Sequence, residues 1–208
     1  MSWKQHLYYI HDPMCSWCWA FRPTLNRLLE KLPSDIPVSF LLGGLAPDSD
    51  QPMDVDLRRK IEETWKIIQT RLPATEFNFD FWTNNTPRRS TYPACRSVIA
   101  VREIEPTKEK DMIYAIQQAY YLKAMNPSES HLLEELAGKL GISDTVFSKT
   151  FYSDATNHQL LDEIEQCRSM GVHSFPSLVF KADNSYRPIS IDYQNENTML
   201  EAIFQICN

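Results

Sequence analysis

The spacing of hydrophobic positions changes along the chain, and each change predicts a different element. Residues 7–10 form a bulky, β-favouring run that ends before Asp12-Pro13, and residues 38–42 form a second short apolar run between Pro37 and Gly43. Between these runs, leucines at 25, 28, 29 and 32 follow helical spacing, which predicts a helix over 15–31. The chain is therefore predicted to open β-α-β.

The middle of the chain is predicted to be helical. Apolar stripes at helical spacing cover about 54–72, 93–102, 112–123, 132–140, 146–151 and 156–170. Gly141 and Gly171 are placed to end two of these helices, and Ser143 is placed to cap the next one. We expect four or five helices to lie between the two ends of the chain.

The last part of the chain is predicted to be a hairpin followed by a helix. Residues 177–180 form an apolar run, and 186–191 can pair with it across the turn at 182–185. Residues 195–207 then show helical spacing, with Asn195 as the N-cap. The chain closes β-β-α, so we predict one α/β fold made of residues 1–53 and 156–208, with an inserted helical subdomain over 54–155.

Charge and composition exclude several classes of function. The chain of 208 residues has 21 Lys and Arg against 27 Asp and Glu, a net charge of −6, which argues against nucleic-acid binding. Its five glycines form neither G-x-G-x-x-G nor a P-loop. No apolar run approaches the ~18 residues of a membrane span, and the N-terminal apolar run is too short for a secretory signal. We expect no membrane association and a cytoplasmic location.

One cysteine pair carries obvious chemistry. The cysteines are at 15, 18, 95, 167 and 207, an odd, sparse set typical of a reducing compartment. Cys15-Ser16-Trp17-Cys18 follows a predicted strand and opens a predicted helix, whose N-terminus stabilises a thiolate. Cys15 is thus the expected nucleophile, and Cys18, one turn later, is placed to resolve a mixed disulfide. Zinc would need two further ligands at suitable spacing, so we expect no metal. Cys95 and Cys167 lie on apolar helix faces and are expected to be core residues.

Three segments resemble a known family. They are Asp12-Pro13-Met14-Cys15-Ser16-Trp17-Cys18, Thr91-Tyr92-Pro93-Ala94-Cys95-Arg96 and Gly171-Val172-His173-Ser174-Phe175-Pro176-Ser177. With Pro23 inside the first helix, they are similar to the DsbA-like thioredoxin-fold disulfide oxidoreductases, especially the cytosolic branch of FrnE and 2-hydroxychromene-2-carboxylate isomerase. The resemblance implies a thioredoxin-like fold with a helical insert.

The resemblance also implies the roles of particular residues. Pro176 would be a cis-proline facing the redox-active disulfide pair Cys15 and Cys18, and Phe175 before it would help to hold an extended substrate. Pro13, Ser16 and Trp17 would contact substrate too. Tyr92 and His173 are further candidates for the groove. The implied function is a protein-disulfide oxidoreductase or isomerase acting on disulfide- or thiol-bearing partners. It needs no bound cofactor, and glutathione could serve as reductant or co-substrate.

The chain also departs from familiar patterns of this family. No histidine lies between the two cysteines, and the position six before Cys15, often acidic, is Tyr9, which leaves His11 or Asp12 as candidate proton acceptors for Cys18. Two other functions stay open. One is a glutathione-dependent transferase or isomerase of the kappa or chromene-isomerase type, although those typically carry serine in place of Cys15. The other is a non-catalytic redox sensor. The redox direction, the natural substrate and the oligomeric state are not predicted.

Overall fold

A four-stranded mixed sheet forms the centre of the molecule. The structure, a computed structural model, describes residues 5–183 and 185–207. Its strands are β1 (His6–His11), β2 (Val38–Leu42), β3 (Ser177–Ala182) and β4 (Ser185–Ile189). Their order in the sheet is β2-β1-β3-β4; β1 pairs parallel with β2 and antiparallel with β3, which pairs antiparallel with β4. The four predicted strands are all present, and β4 ends two residues earlier than predicted.

Helices connect and cover the sheet. They are α1 (Ser16–Lys31), α2 (Val55–Arg71), α3 (Phe81–Asn84), α4 (Tyr92–Ile104), α5 (Glu109–Tyr121), α6 (Ser130–Lys139), α7 (Asp144–Phe151), α8 (Asp154–Ser169) and α9 (Glu196–Cys207), with a short 3₁₀ helix at Pro106–Lys108. Seven α-helices, α2 to α8, lie between β2 and β3, more than the four or five predicted. One of them, α3, is a single turn that cannot show helical periodicity. Within 5–183 and 185–207, no helix has both the length and the apolar character needed to cross a membrane.

The order of elements confirms the predicted fold class. The chain runs β1-α1-β2, then through a helical region, and returns through α8 to β3, β4 and α9. Gly141 and Gly171 follow helix ends with φ of 80° and 77°, as predicted for residues that terminate helices. The predicted limits of the insert, 54 and 155, stay a prediction, and α8 begins at Asp154, just before the second limit.

Both faces of the central strand β1 are buried. Leu7 and Tyr9 point into the main core with α1, whereas Tyr8 and Ile10 contact a smaller apolar cluster that includes Cys167 of α8. This alternation follows from the two-residue period of a strand. Cys167 is thus a core residue, as its position on an apolar helix face predicted.

An aromatic cluster joins the helical region to α1. The fully buried Trp65 of α2 stacks on Phe77 at 4.8 Å between ring centroids and contacts Tyr121 of α5 at 5.5 Å. Tyr121 in turn stacks on Trp19 of α1 at 5.6 Å. Because Trp19 follows Cys18 directly, this stack fixes the first turn of α1 against the helical region.

The other end of α1 is held by the C-terminal helix. Glu196 of α9 accepts hydrogen bonds from Arg27 Nε at 2.8 Å and Lys31 Nζ at 2.6 Å. Thr24 Oγ1 also donates to the carbonyl of Tyr193 at 2.6 Å. The hydrogen bonds from Lys31 and Arg27 lower the pKa of Glu196 to about 2. These contacts fix the orientation of the helix that carries the two cysteines.

We expect Glu196→Gln to destabilise the protein in a pH-dependent way. A carboxylate whose pKa is lower in the folded than in the unfolded state stabilises the fold above its unfolded value, here near 4.5, and loses that effect as the pH falls towards about 2. Urea unfolding should therefore show a stability gap between the natural protein and the variant at about pH 7 that narrows at about pH 3.

Glu201→Gln is the matched control, since Glu201 is exposed on the same helix and has no ion-pair partner in residues 5–183 and 185–207. A gap of equal size at every pH would contradict the assignment of the effect to the Glu196 charge.

Candidate active site

The two cysteines lie at the start of α1 in unequal environments. Cys15 is the N-cap residue; its N–H donates to the carbonyl of Asp12 at 3.0 Å, and its carbonyl accepts from Trp19 N at 3.0 Å. Cys18 lies one turn later in the same helix, and both thiols are free. Cys15 is 7% exposed and Cys18 is 0% exposed. Only Cys15 can therefore be reached from outside.

The loop before β3 faces Cys15. The Cys15 thiol lies 3.5 Å from the carbonyl oxygen of Phe175, to which it can donate, and the Phe175–Pro176 peptide bond is cis. The ring of Phe175 lies directly on the backbone of Gly43 after β2, where an added Cβ would be only 1.9 Å from Phe175 Cε1. Gly43 thus provides the space in which the Phe175 ring lies.

Asp12 connects the site to three other segments. Its Oδ1 accepts from Met14 N at 2.8 Å, and its Oδ2 accepts from Leu45 N at 2.8 Å and Thr91 Oγ1 at 2.6 Å. Cys95 Sγ lies 3.5 Å from the same Oδ2. Burial raises the pKa of Asp12, and these hydrogen bonds oppose that effect. Protonation of Asp12 would weaken its hydrogen bonds to all three donors, which argues against the predicted role of Asp12 as proton acceptor for Cys18. Cys95 is a core residue that also touches the site.

His11 is a poor proton acceptor as well. It is fully buried, and neither ring nitrogen has a hydrogen-bond partner in the described part of the chain. Burial lowers the pKa of His11 to about 3, so the ring is neutral at physiological pH. It stacks on Tyr9 at 5.0 Å between centroids, and Tyr9 and Cys18 line the same small cavity. Tyr9 is thus a polar side chain that lies beside the second thiol.

A cleft of about 340 Å³ opens beside Cys15 and has two walls. The wall from the sheet and α1 comprises Met14, Cys15, Ser16, Trp17, His173, Ser174 and Phe175. The opposite wall comes from the loop after β2 and the helical region: Leu45, Met53, Ile61, Thr64, Arg88, Arg89, Thr91 and Tyr120. The helical region therefore supplies half of the surface that a substrate at Cys15 would meet.

The proposed substrate-contact residues are not all on that surface. Ser16, Trp17 and Phe175 line the cleft, and so does His173. Pro13 and Pro176 are buried and do not line it. Tyr92 instead lies near Gly44, where an added Cβ would be 2.8 Å from its ring.

Trp17 packs against a neighbouring aromatic residue and also lines the cleft. It is half-buried, and its ring meets Tyr193 edge-on at 5.1 Å between centroids. The guanidinium of Arg71 lies 5.9 Å from the centre of the Trp17 ring. This contact couples the residue between the two cysteines to the end of α2.

Two arginines of the cleft were missed by sequence reasoning. Arg88 is used structurally, because it pairs with Glu129 at 2.5 Å and donates to the carbonyl of Ser128 at 3.1 Å. Arg89 makes no ion pair within residues 5–183 and 185–207, and its charge lowers the pKa of the buried Tyr120, which burial otherwise raises. Their only sequence signal is a pair of arginines just before the segment 91–96. Across the part of the chain that the structure describes, no cluster of three or more His, Cys, Asp or Glu could hold a metal ion.

This architecture defines a thioredoxin-type protein, and comparison with known proteins agrees. A family model described as "Thioredoxin" matches residues 8–200, and the chain belongs to this family. A Nitrosomonas europaea protein proposed to be a protein disulfide isomerase is 29% identical, with a TM-score of 0.84 over 97% of this chain and 98% of that one. The cytosolic disulfide reductase DsbM of Pseudomonas aeruginosa is 21% identical, with a TM-score of 0.78 over 97% and 98% of the two chains.

A curated relative is more distant. The ClpXP adapter protein SpxH of Halalkalibacterium halodurans is 21% identical over 182 residues, which cover 86% of this chain and 59% of that protein. The chain thus spans about three fifths of the length of the curated relatives that it matches.

We expect Gly43→Ala to disturb the Phe175 loop. Because the new methyl group would overlap the Phe175 ring, the variant should lose about 1–3 kcal/mol of unfolding free energy. Adding Phe175→Ala should relieve the overlap, so the double variant should be more stable than the sum of the two single effects predicts, by urea unfolding.

Gly138→Ala is the control, since Gly138 lies inside α6 with ordinary helical φ and an added Cβ would meet only Asp144 Oδ1, at 3.3 Å. It should be neutral or slightly stabilising. Strict additivity of Gly43→Ala and Phe175→Ala would show that the two residues are not coupled.

Proposed function

We propose that the chain is a thiol-disulfide oxidoreductase that acts through Cys15 and Cys18. The observation that carries this proposal is the asymmetry of the pair: Cys15 borders the cleft at the N-terminus of α1, and Cys18 is fully buried one turn further along the same helix. The first thiol can meet a substrate and the second can meet only the first. That arrangement suits a nucleophile and its resolving partner.

The reaction follows as two displacements. The Cys15 thiolate attacks one sulfur of a substrate disulfide, whose S–S bond breaks, and the leaving thiolate takes a proton from solvent. Cys18 then loses its proton and attacks Cys15 Sγ, which releases the second substrate thiol and forms the Cys15–Cys18 disulfide. Two electrons pass from the dithiol to the substrate. A second thiol compound, for which we propose glutathione, reduces the pair again.

The cleft supports an extended substrate that carries a carboxylate. Residues 173–175 present backbone along one wall, and Arg89 on the other wall has no carboxylate partner among the described residues. Arginine binds carboxylates through two parallel hydrogen bonds. Glutathione and the acidic segments of proteins both fit this chemistry. The structure of the P. aeruginosa DsbM with GSH, 20% identical and with a TM-score of 0.77, is consistent with a glutathione-type ligand.

We also propose reduction of disulfides in the cytoplasm as the physiological direction. The similarity to a protein described as a cytosolic disulfide reductase supports it. The reduction potential of the pair, measured in glutathione buffers with tryptophan fluorescence as readout, tests it, because Trp17 and Trp19 flank Cys18. A potential near that of thioredoxin, about −270 mV, supports a reductase, whereas one near about −120 mV indicates an oxidant.

We expect the two cysteines to give different phenotypes. Cys15→Ser should abolish disulfide reduction, because the sulfur of the pair that borders the cleft is lost. Cys18→Ser should instead accumulate a mixed disulfide at Cys15, which intact-mass spectrometry detects as an added thiol compound. Cys207→Ser is the control with normal turnover, since Cys207 lies at the end of α9, away from the cleft. Normal turnover by Cys15→Ser would refute the proposed function.

We expect Arg89→Gln to weaken the use of anionic disulfides selectively. Loss of the Arg89 charge should raise KM for glutathione disulfide by about tenfold, because a charged hydrogen bond is worth about 1.5–3 kcal/mol. KM for a neutral disulfide should stay unchanged. Arg59→Gln is the control, because Arg59 is exposed on α2 and pairs with Asp56. An equal rise for both disulfides would show that Arg89 does not select the charge.

A second candidate is a binding role without turnover. The similarity to ClpXP adapter proteins, although it covers only part of their length, favours it. In that case Cys15→Ser would retain partner binding, and the dithiol would be oxidised without catalysing reduction of a substrate.

A further inference from the structure

Cys18, the resolving thiol, must release a proton, and the substrate cleft does not reach it. Cys18 is fully buried and does not line the cleft. It must lose a proton to attack Cys15 Sγ, and burial raises the pKa of the Cys18 thiol well above its ordinary value. The carboxylate of Asp12 is already engaged on both oxygens, and His11 is a weak base. A route that leaves both of these groups unprotonated is therefore favoured.

A small cavity lies on the other side of Cys18. Its volume is about 30 Å³, and Cys18 lines it together with the polar side chains of Tyr9, Arg22, Asn26, Lys110 and Gln117. A water molecule needs about 10–15 Å³ measured in this way and two or more polar partners, so the cavity has room for one or two waters among polar side chains. Tyr9 provides the link, because its side chain and that of Cys18 line this cavity together.

The small cavity adjoins a much larger groove. This groove of about 700 Å³ shares two lining residues with the cavity, Arg22 and Asn26, which lie one turn apart on α1. It contains neither Cys15 nor Cys18 and has no lining residue in common with the substrate cleft. The groove and the cleft thus approach α1 from different sides, and only the groove reaches the surroundings of Cys18.

Arg22 is held in place between the cavity and the groove. Its Nη1 donates to Gln117 Oε1 at 3.1 Å, and its guanidinium carbon lies 4.1 Å from the centre of the Tyr114 ring. It makes no ion pair within residues 5–183 and 185–207. Arg22 and Lys110 both line the cavity, and while burial raises the pKa of Tyr9, the positive charge of Arg22 opposes that effect.

We propose that Tyr9 and this cavity form the proton route of Cys18, which opens to the groove between Arg22 and Asn26 and not to the substrate cleft. The proposal rests on the proposed function. As Cys18 Sγ attacks Cys15 Sγ, its proton passes to the Tyr9 hydroxyl oxygen while the hydroxyl proton passes to water in the cavity and onward to the groove. Tyr9 ends neutral, and the electrons move only between sulfurs. Burial raises the pKa of Tyr9, which suits a relay that never holds a charge.

Single-turnover kinetics with an aromatic disulfide tests the route. The disulfide releases one coloured thiolate when Cys15 attacks and a second when Cys18 resolves the mixed disulfide, so the two steps are seen separately. Tyr9→Phe removes the relay, and Asn26→Phe fills the opening from an exposed position. Both variants should slow the second phase at least about tenfold and leave the rate of the first phase within about twofold of normal. Proton transfer by a positioned side chain typically accelerates a step about 100-fold or more.

The pH profile separates a relay from a merely structural role. Hydroxide can take the proton directly at high pH, so the slowing in Tyr9→Phe should shrink as the pH rises. Tyr8→Phe is the matched control, because Tyr8 is the neighbouring residue on β1 but faces the other side of the sheet. Both phases should be normal in it.

An unchanged second phase in both Tyr9→Phe and Asn26→Phe would overturn the route, and equal slowing of both phases, which a distorted site would give, would also contradict it. The proposed function fails separately, if the natural protein releases no first thiolate.

Discussion

Asp12 directly follows strand β1 and has a buried carboxylate whose two oxygens accept hydrogen bonds from three separate parts of the chain. A carboxylate in such a position costs free energy unless donors surround it, and here the donors are Met14 N, Leu45 N and Thr91 Oγ1. Those donors belong to the turn that leads to Cys15, to the loop after β2 and to the residue before α4. The Asp12 carboxylate therefore fixes the relative positions of Cys15, the loop after β2 and the helical region. The rest of the site depends on this arrangement.

This arrangement also determines the order in which the two sulfurs react. Cys15 borders the cleft, whereas Cys18 is shielded by α1, by Tyr9 and by the first thiol itself. A substrate disulfide can thus bond to only one sulfur, and the second displacement must be intramolecular. Proximity of this kind converts a bimolecular step into an effectively unimolecular one. The chemistry of the pair is therefore determined as much by burial as by the identity of the residues between the cysteines.

Local patterns were sufficient to predict the helices and strands, but they did not predict the contacts between distant segments. The leucine stripe of α1, the apolar runs of β1 and β2, and the glycines after α6 and α8 are properties of neighbouring residues, which is why their positions follow from the sequence. The one-turn helix α3 has too few residues to show a period. The hydrogen bond from Thr91 to Asp12 joins positions 79 residues apart, and Arg89, two residues before Thr91, lines the same cleft as Cys15. Phe175 was identified through resemblance alone. Its contact with Gly43 depends on the sheet, in which β1 pairs with both β2 and β3 and so brings the segments beside those strands together.

The division of the cleft into two walls has a consequence for how such proteins diversify. The sulfurs and the loop at 173–176 belong to one wall, while Met53, Ile61, Arg88 and Arg89 belong to the other. Mutations on the second wall can alter charge and shape without moving either sulfur, because Asp12 anchors Thr91 but none of those four side chains. After gene duplication, a copy of this fold could therefore acquire a new substrate by ordinary surface substitutions, with its electron-transfer chemistry inherited intact.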